Sequence, residues 1–274
     1  MPKTFPPHLV ADEKHTWWLG ERVYVATTAA QECILGVGLA QGADAESLTQ
    51  AYGEFQQEAR ALNPDYAPQS VNTDGWEGTQ LAWQNLFPGI TLMLCFLHTV
   101  LGIQQRCRRM SAFFTQVTDK LWHLYASSNP SSFGQRLRRL QEWAARQDIP
   151  AVLRTKIQAL RQKAAQFKLT FAFPQAYRTS NQVDRLMNYQ DRILYAMQYF
   201  HGTEHAMKQG LRAMALIWNF HPYSRKVQAI EPHPQSPFEA LNGFRYHDNW
   251  LRNLLCASSL NGRGFGKLVK HKLE

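Results

Sequence analysis

Three stretches of this chain carry carboxylates in settings where they could do chemistry. Asp12 lies inside LVADEKHT, Asp74 closes the short run SVNTDGW, and Asn181, Asp184, Asn188 and Asp191 recur at spacings of three and four in TSNQVDRLMNYQDR. Residues so spaced share one helix face. Carboxylates forced together need a cation, and a ligand set made of oxygen alone suits Mg²⁺ or Mn²⁺. The Asn/Asp stripe reads equally well as an active-site face and as a solvated one. Cys95-x-x-His98 has no matching pair at zinc spacing, so a zinc site is excluded and a packing or supporting role is expected. Glu13 and His15 lie close to Asp12, yet strand alternation sets Glu13 on the opposite face, where a structural or exposed role is expected. Trp76 could stack on a base, but a core position is the more frequent outcome for such a tryptophan.

These residues need elements to hold them. HLVADEKHTWW (8–18), ERVYVATTAA (21–30) and ECILGVGLAQ (32–41) are rich in β-branched and aromatic residues and are separated by very short breaks, which predicts three antiparallel strands. A helix follows over 43–62, with Leu48, Tyr52, Phe55, Ala59 and Leu62 at helical spacing; then a strand over 70–73, a helix over 76–86 and a strand from near Ile90 running into a buried helix. The order is β-β-β-α-β-α-β-α. Along the first strand Val10, Asp12 and Lys14 share a face. If the fourth strand pairs in parallel with the first, Asp12 and Asp74 come close together.

From about Gln104 the pattern turns helical and basic. Segments 131–147 and 150–168 read as two amphipathic helices, and nine basic residues but only Glu142 and Asp148 as acids lie between 131 and 168. Further helix is expected over 182–219, and the end of the chain, GRGFGKLVKHKLE, is basic. The predicted organisation is a core over 1–105, a basic helical insertion over 106–175, the last core helices over 176–240 and a basic tail over 241–274. An apolar run from Leu86 to Ile103 is interrupted by Pro88-Gly89 and His98, so a membrane span is not expected.

The charge is uneven. The chain carries +9 overall, with 4 basic and 11 acidic residues in 1–100 and 26 basic and 10 acidic in 101–274. A basic surface attracts polyanions through counterion release, which makes nucleic acid the first partner to consider. Arg136, Arg138, Arg139, Arg154, Lys156, Arg161 and Lys163 are the candidate phosphate contacts. Four scattered cysteines give no disulfide framework, and the N-terminus has no secretory signal pattern, so a cytoplasmic setting is expected.

Taken in order, the three opening strands with Asp12, the NTDGW strand end, Cys95-x-x-His98, the basic helical interruption and the TSNQVDR helix resemble the catalytic domain of DDE/DDD transposases, of the prokaryotic insertion-sequence and Mutator-like types. The resemblance spans roughly residues 8–220. It implies an RNase H-like fold, an α/β mixed five-stranded sheet interrupted by an all-helical insertion before the last catalytic helix. It also implies Asp12, Asp74 and Asp184 as catalytic and metal-holding acids, with Asp191 and Glu204 as alternatives for the third. Cys95, His98 and Asn181 are implied as markers that support the acids from behind. The implied activity is Mg²⁺- or Mn²⁺-dependent cleavage and strand transfer at the ends of a transposable element. Its partner is double-stranded DNA, at the nucleoid, and the rivals are an RNase H-like nuclease or resolvase and an inactive DNA-binding remnant. Only 11 residues precede Asp12, so the N-terminal helix-turn-helix with which such enzymes read terminal repeats is expected to be absent, the chain being a truncated relic or a downstream frame partnered by a separate DNA-binding protein; a homo-oligomer is the other expected partner.

Overall fold

The computed structural model describes residues 5–107, 111–229 and 234–259. Strands β1 (His8–Trp18), β2 (Glu21–Ala30) and β3 (Cys33–Ala40) form an antiparallel meander. Each connection has two residues, Leu19-Gly20 and Gln31-Glu32, all with positive φ, the backbone that lets a tight turn follow the twist of its strands. Helix α1 (Ala45–Leu62) starts at Asp44, whose carboxylate accepts from Ser47 N at 2.9 Å. It leads into β4 (Ser70–Thr73), and α2 (Glu77–Leu86) leads into β5 (Thr91–Leu94). The sheet order is β3-β2-β1-β4-β5, with β4 parallel to both β1 and β5. The chain is therefore an α/β protein built on a five-stranded mixed sheet.

Alternation along the strands sorts two cores. Leu9 and Ala11 of β1 and Ala26 and Ala30 of β2 pack with Leu48, Tyr52, Phe55 and Trp83 of α1 and α2. On the other face, Val10 and Ala29 meet Val183 and Leu186 of α8 (Asn181–Ala196), while Val23 and Val25 meet Leu211 and Met214 of α9 (Glu204–Phe220). Gly38 lets α1 approach β3: a Cβ there would lie 2.1 Å from the Ala51 carbonyl oxygen. Asn219 of α9 closes the opposite side by bonding both the N–H and the carbonyl of Ile34, each at 2.8 Å.

Beyond β5 the chain builds a helical module from α3 (Phe96–Cys107), α4 (Ser111–Tyr125), α5 (Pro130–Arg146), α6 (Ala151–Gln162) and α7 (Ala164–Lys168). Its core includes Val100, Leu121, Leu137, Leu153 and Ile157, and it extends to Leu94 and Phe96 at the end of β5. The insertion predicted over 106–175 is thus packed continuously with the strand that precedes it.

Three expectations need correction. The helix read over 150–168 breaks at Lys163 into α6 and α7. The helix read over 182–219 is two helices, because Gln198 and Tyr199 take positive φ and Tyr199 N bonds the Leu194 carbonyl at 2.7 Å, ending α8. The segment read as a tail from 241 is folded through Ser259, with α12 (Trp250–Ser259) following the short helices α10 (Arg225–Gln228) and α11 (Pro237–Asn242). The basic end after Ser259 lies outside the described residues. Among the described residues, no helix is long and apolar enough to cross a membrane.

Candidate active site

The parallel ladder between β1 and β4 pairs Val10 with Asn72 and ends at that level. Two residues further, the same register sets Asp74 beside Asp12. One carboxylate oxygen each from Asp12, Glu13 and Asp74 lies within 4.8 Å of the others. Asp12 also belongs to a second group, with a ring nitrogen of His98 and an oxygen of Asp184 within the same 4.8 Å span. Asp12 is thus common to two clusters of donors. Its side chain is 7% exposed, and its carboxylate accepts from Glu13 N at 2.9 Å.

Each donor is held by the fold around it. Gly75 turns the chain directly after Asp74 with φ +93°, and the Asp74 carboxylate accepts from Trp76 N at 2.8 Å. A Cβ at Gly75 would stand 2.9 Å from Leu94 Cδ2, so a glycine is needed there for space as well as for conformation. Asp184 lies in the first turn of α8, where the helix dipole favours a negative charge. The start of α8 is fastened to the end of β5: Ser180 N donates to the Cys95 sulfur at 3.1 Å, and the Ser180 hydroxyl lies 3.1 Å from His98 Nδ1. His98 Nε2 then faces Asp184 Oδ1 at 4.0 Å.

The electrostatics follow from this crowding. Burial first, then the charges of Asp74 and Glu13, push the Asp12 carboxyl up to about 7. Glu13 also rises to about 7, chiefly by burial and against hydrogen bonds from Tyr52 and Thr79. Those hydroxyls donate to Glu13 Oε1 at 2.6 and 2.7 Å, while its buried Oε2 has no partner. Burial raises Asp184, partly offset by His98 and Lys14. The hydrogen bond to Cys95, outweighing burial, lifts His98 to about 9, so it is a cation at neutral pH. Burial works against the Cys95 thiolate, but the bonds from His98 and Ser180 win and hold the thiol below its ordinary value.

The donor set is chemically suited to hard divalent cations: carboxylates dominate, three of them crowd together, and a buried carboxylate oxygen lacks a partner. Comparison of the sequence with protein-family models and with curated proteins gives no match. What the site can do is argued from its geometry.

The structure places Asp74 near Asp12 in one group and Asp184 near Asp12 in the other, and the alternatives for the third acid belong to neither group. Asp191 is ion-paired with Lys14, and Glu204 pairs with Lys208 at 3.1 Å. Asn181 opens α8 with an exposed side chain. The basic residues divide. Lys156 and Lys163 line a cleft of about 270 Å³ together with Asp74 and His98. Arg154 and Arg136 bond backbone carbonyls, those of Gln147 and Ile149 and that of His123, Arg138 pairs with Glu142 at 3.6 Å, and Arg139 and Arg161 are exposed.

Of three further side chains near the acids, Glu13 and Trp76 depart from expectation. His98 stands among the acids themselves, because the first turn of α3 begins one residue after Cys95 and turns its imidazole towards Asp184. Glu13 projects to the other face, as alternation requires, but β4 stops at Thr73, and beyond that end its carboxylate and that of Asp74 approach each other. Trp76 is 44% exposed and meets Tyr24 edge-on at 6.2 Å, so it is a rim residue and not a core one. A run of acid, glycine and tryptophan immediately after a strand carried that signal: the glycine turns the chain out of the sheet before the tryptophan is reached.

Proposed function

We propose that this chain cuts and joins DNA strands with divalent metal ions, as the catalytic domain of a DDD-type transposase on an RNase H-like core. The observation that carries the reading is the membership of Asp12 in both donor groups, with Glu13 and Asp74 on one side and His98 and Asp184 on the other. The position supports it, since ligands of open α/β sheets bind beyond the carboxyl ends of the parallel strands.

Asp12, Asp74 and Asp184 would hold two Mg²⁺ or Mn²⁺ ions, which when bound would activate a water or DNA 3′-hydroxyl and offset charge on the leaving oxygen. The remaining work belongs to the chain. Lys156 and Lys163 offer cations to the phosphates of double-stranded DNA from the wall that includes Asp74. Tyr52 and Thr79 orient Glu13 behind Asp12, and protonated His98 orients Asp184. No covalent protein nucleophile is required. On this reading the protein acts on mobile-element ends and target DNA at the nucleoid.

The test is incubation with Mg²⁺, a labelled duplex bearing a 3′-hydroxyl and a supercoiled plasmid. Joined products that vanish in Asp12→Asn and Asp74→Asn support transposition. Cleavage without joining identifies an RNase H-like nuclease or resolvase. Salt-sensitive DNA binding with no Mg²⁺-dependent cleavage, unaltered by Asp74→Ala, identifies a DNA-binding remnant.

A further inference from the structure

The edge of β1 that faces β4 is covered at its two ends only. β4 pairs with His8–Val10, and at the far end Phe200 N bonds the Trp17 carbonyl at 3.2 Å while Leu19 N bonds the Phe200 carbonyl at 3.4 Å. Between these closures, among the described residues, no strand pairs with Ala11–Thr16 on the edge opposite β2. A groove of about 520 Å³ opens there, between β1 and the C-terminal half of α8. Its near end is Lys14, two residues from Asp12 on the same face of the strand.

The walls combine aromatic rings with charged groups, among them Asp191, which is ion-paired with Lys14. Trp17, Tyr195 and Tyr199 line the groove, with Tyr195 76% exposed and edge-on to Tyr199 at 6.5 Å. His15 and Arg192 are the exposed basic groups beside them, and the Arg22 guanidinium lies 5.8 Å from the Trp17 ring centroid. The shape is also fixed in advance: Tyr199 is held at φ +69°, and Trp18 Nε1 donates to the Gly202 carbonyl at 3.0 Å, pinning the end of α8 to the β1–β2 hairpin.

We propose that this groove binds unpaired nucleotides of a DNA strand, stacking bases on Tyr195, Tyr199 and Trp17. The inference rests on the reading of the acid cluster as a phosphodiester site. Stacking accepts any base, and the neighbouring cations follow the backbone, so the groove selects single strands over duplex without reading sequence. A site poised this way takes DNA whose ends are melted or frayed.

The test is binding of fluorescently labelled oligothymidylate and of a duplex of equal length, read by anisotropy in EDTA so that the metal-dependent reaction is silent. Tyr195→Ala and Trp17→Ala each weaken oligothymidylate binding about tenfold and duplex binding less than about twofold, while Tyr195→Phe retains the single-strand affinity. Equal losses on duplex and single strand, or wild-type oligothymidylate affinity in both variants, overturn the proposal. The two readings fail separately. Groove-dependent single-strand binding without Mg²⁺-dependent cleavage sinks the transposase reading alone, and cleavage with joining but groove-independent binding sinks this one alone.

Discussion

Replacing Asp12 by Asn probes the acid cluster through folding stability, without any substrate. The folded chain holds this carboxyl at about 7 against an ordinary 3.8, by burial first and then by its acidic neighbours. A group with a raised folded value stabilises the fold while protonated. That contribution is complete below about pH 4 and is lost as the pH rises through about 7. Relative to the protonated limit, the penalty is about 1.7 kcal/mol at pH 5 and about 4 kcal/mol at pH 8, taking about 1.36 kcal/mol per pH unit. Asparagine has nearly the same shape and carries no such charge. In EDTA, Asp12→Asn therefore gains on wild type by about 2 to 3 kcal/mol between pH 5 and pH 8, read from urea unfolding midpoints. Saturating Mg²⁺ reverses the order, since a cation that binds only the folded wild type stabilises it by mass action. Parallel pH profiles for the two chains, or equal Mg²⁺ shifts, would refute the reasoning.

Asp184→Ala lowers Mg²⁺-dependent cleavage at least about a hundredfold, whereas Glu204→Ala, which only breaks an ion pair with Lys208, leaves it unchanged; the reverse ranking in a plasmid cleavage assay removes Asp184 from the site. Lys163→Ala reduces the slope of log affinity against log salt by about 1 for duplex DNA, while Arg138→Ala, already paired with Glu142, does not. Cys95→Ala brings the His98 titration down from about 9 towards 6.5, followed by NMR of the ring protons, and an unmoved titration shows that Cys95 does not set that charge. Gly38→Ala destabilises the fold by about 1 to 3 kcal/mol in urea unfolding, because its methyl group meets the Ala51 carbonyl; an unchanged midpoint means that α1 does not pack on β3 as described.

Local patterns revealed the sheet. The strands over 8–18, 21–30 and 70–73 match the sequence reading because β-branched runs and two-residue breaks leave few alternatives, and parallel pairing of β1 with β4 follows from that order. Asp12 and Asp74 were legible for the same reason, since register alone brings them together. Asp184 was legible as a face of a helix, but its choice over Asp191 was not. That choice depends on Ser180 bonding the Cys95 sulfur 85 residues earlier, a tertiary contact with no local signature. The break at Gln198 and Tyr199 was equally hidden, because neither residue type announces positive φ; the backbone pairing of Phe200 with the β1–β2 hairpin imposes it. The approach of Glu13 to Asp74 escaped because strand alternation describes direction, and proximity at the site depends on where β4 ends.

The fastening of α8 to the end of β5 has a consequence for when this protein can first act. Asp12, Asp74 and His98 leave the ribosome early, but the residues that complete the cluster, Ser180 and Asp184, follow only after the helical module has been made. At translation rates of about 5 to 20 residues per second, the nascent chain spends on the order of ten to thirty seconds with its first acids exposed and its last absent. On the proposed reading, a site assembled in that order is silent on every fragment that stops short of α8. An interrupted translation product carries the sheet, the first two acids and the basic module without Asp184.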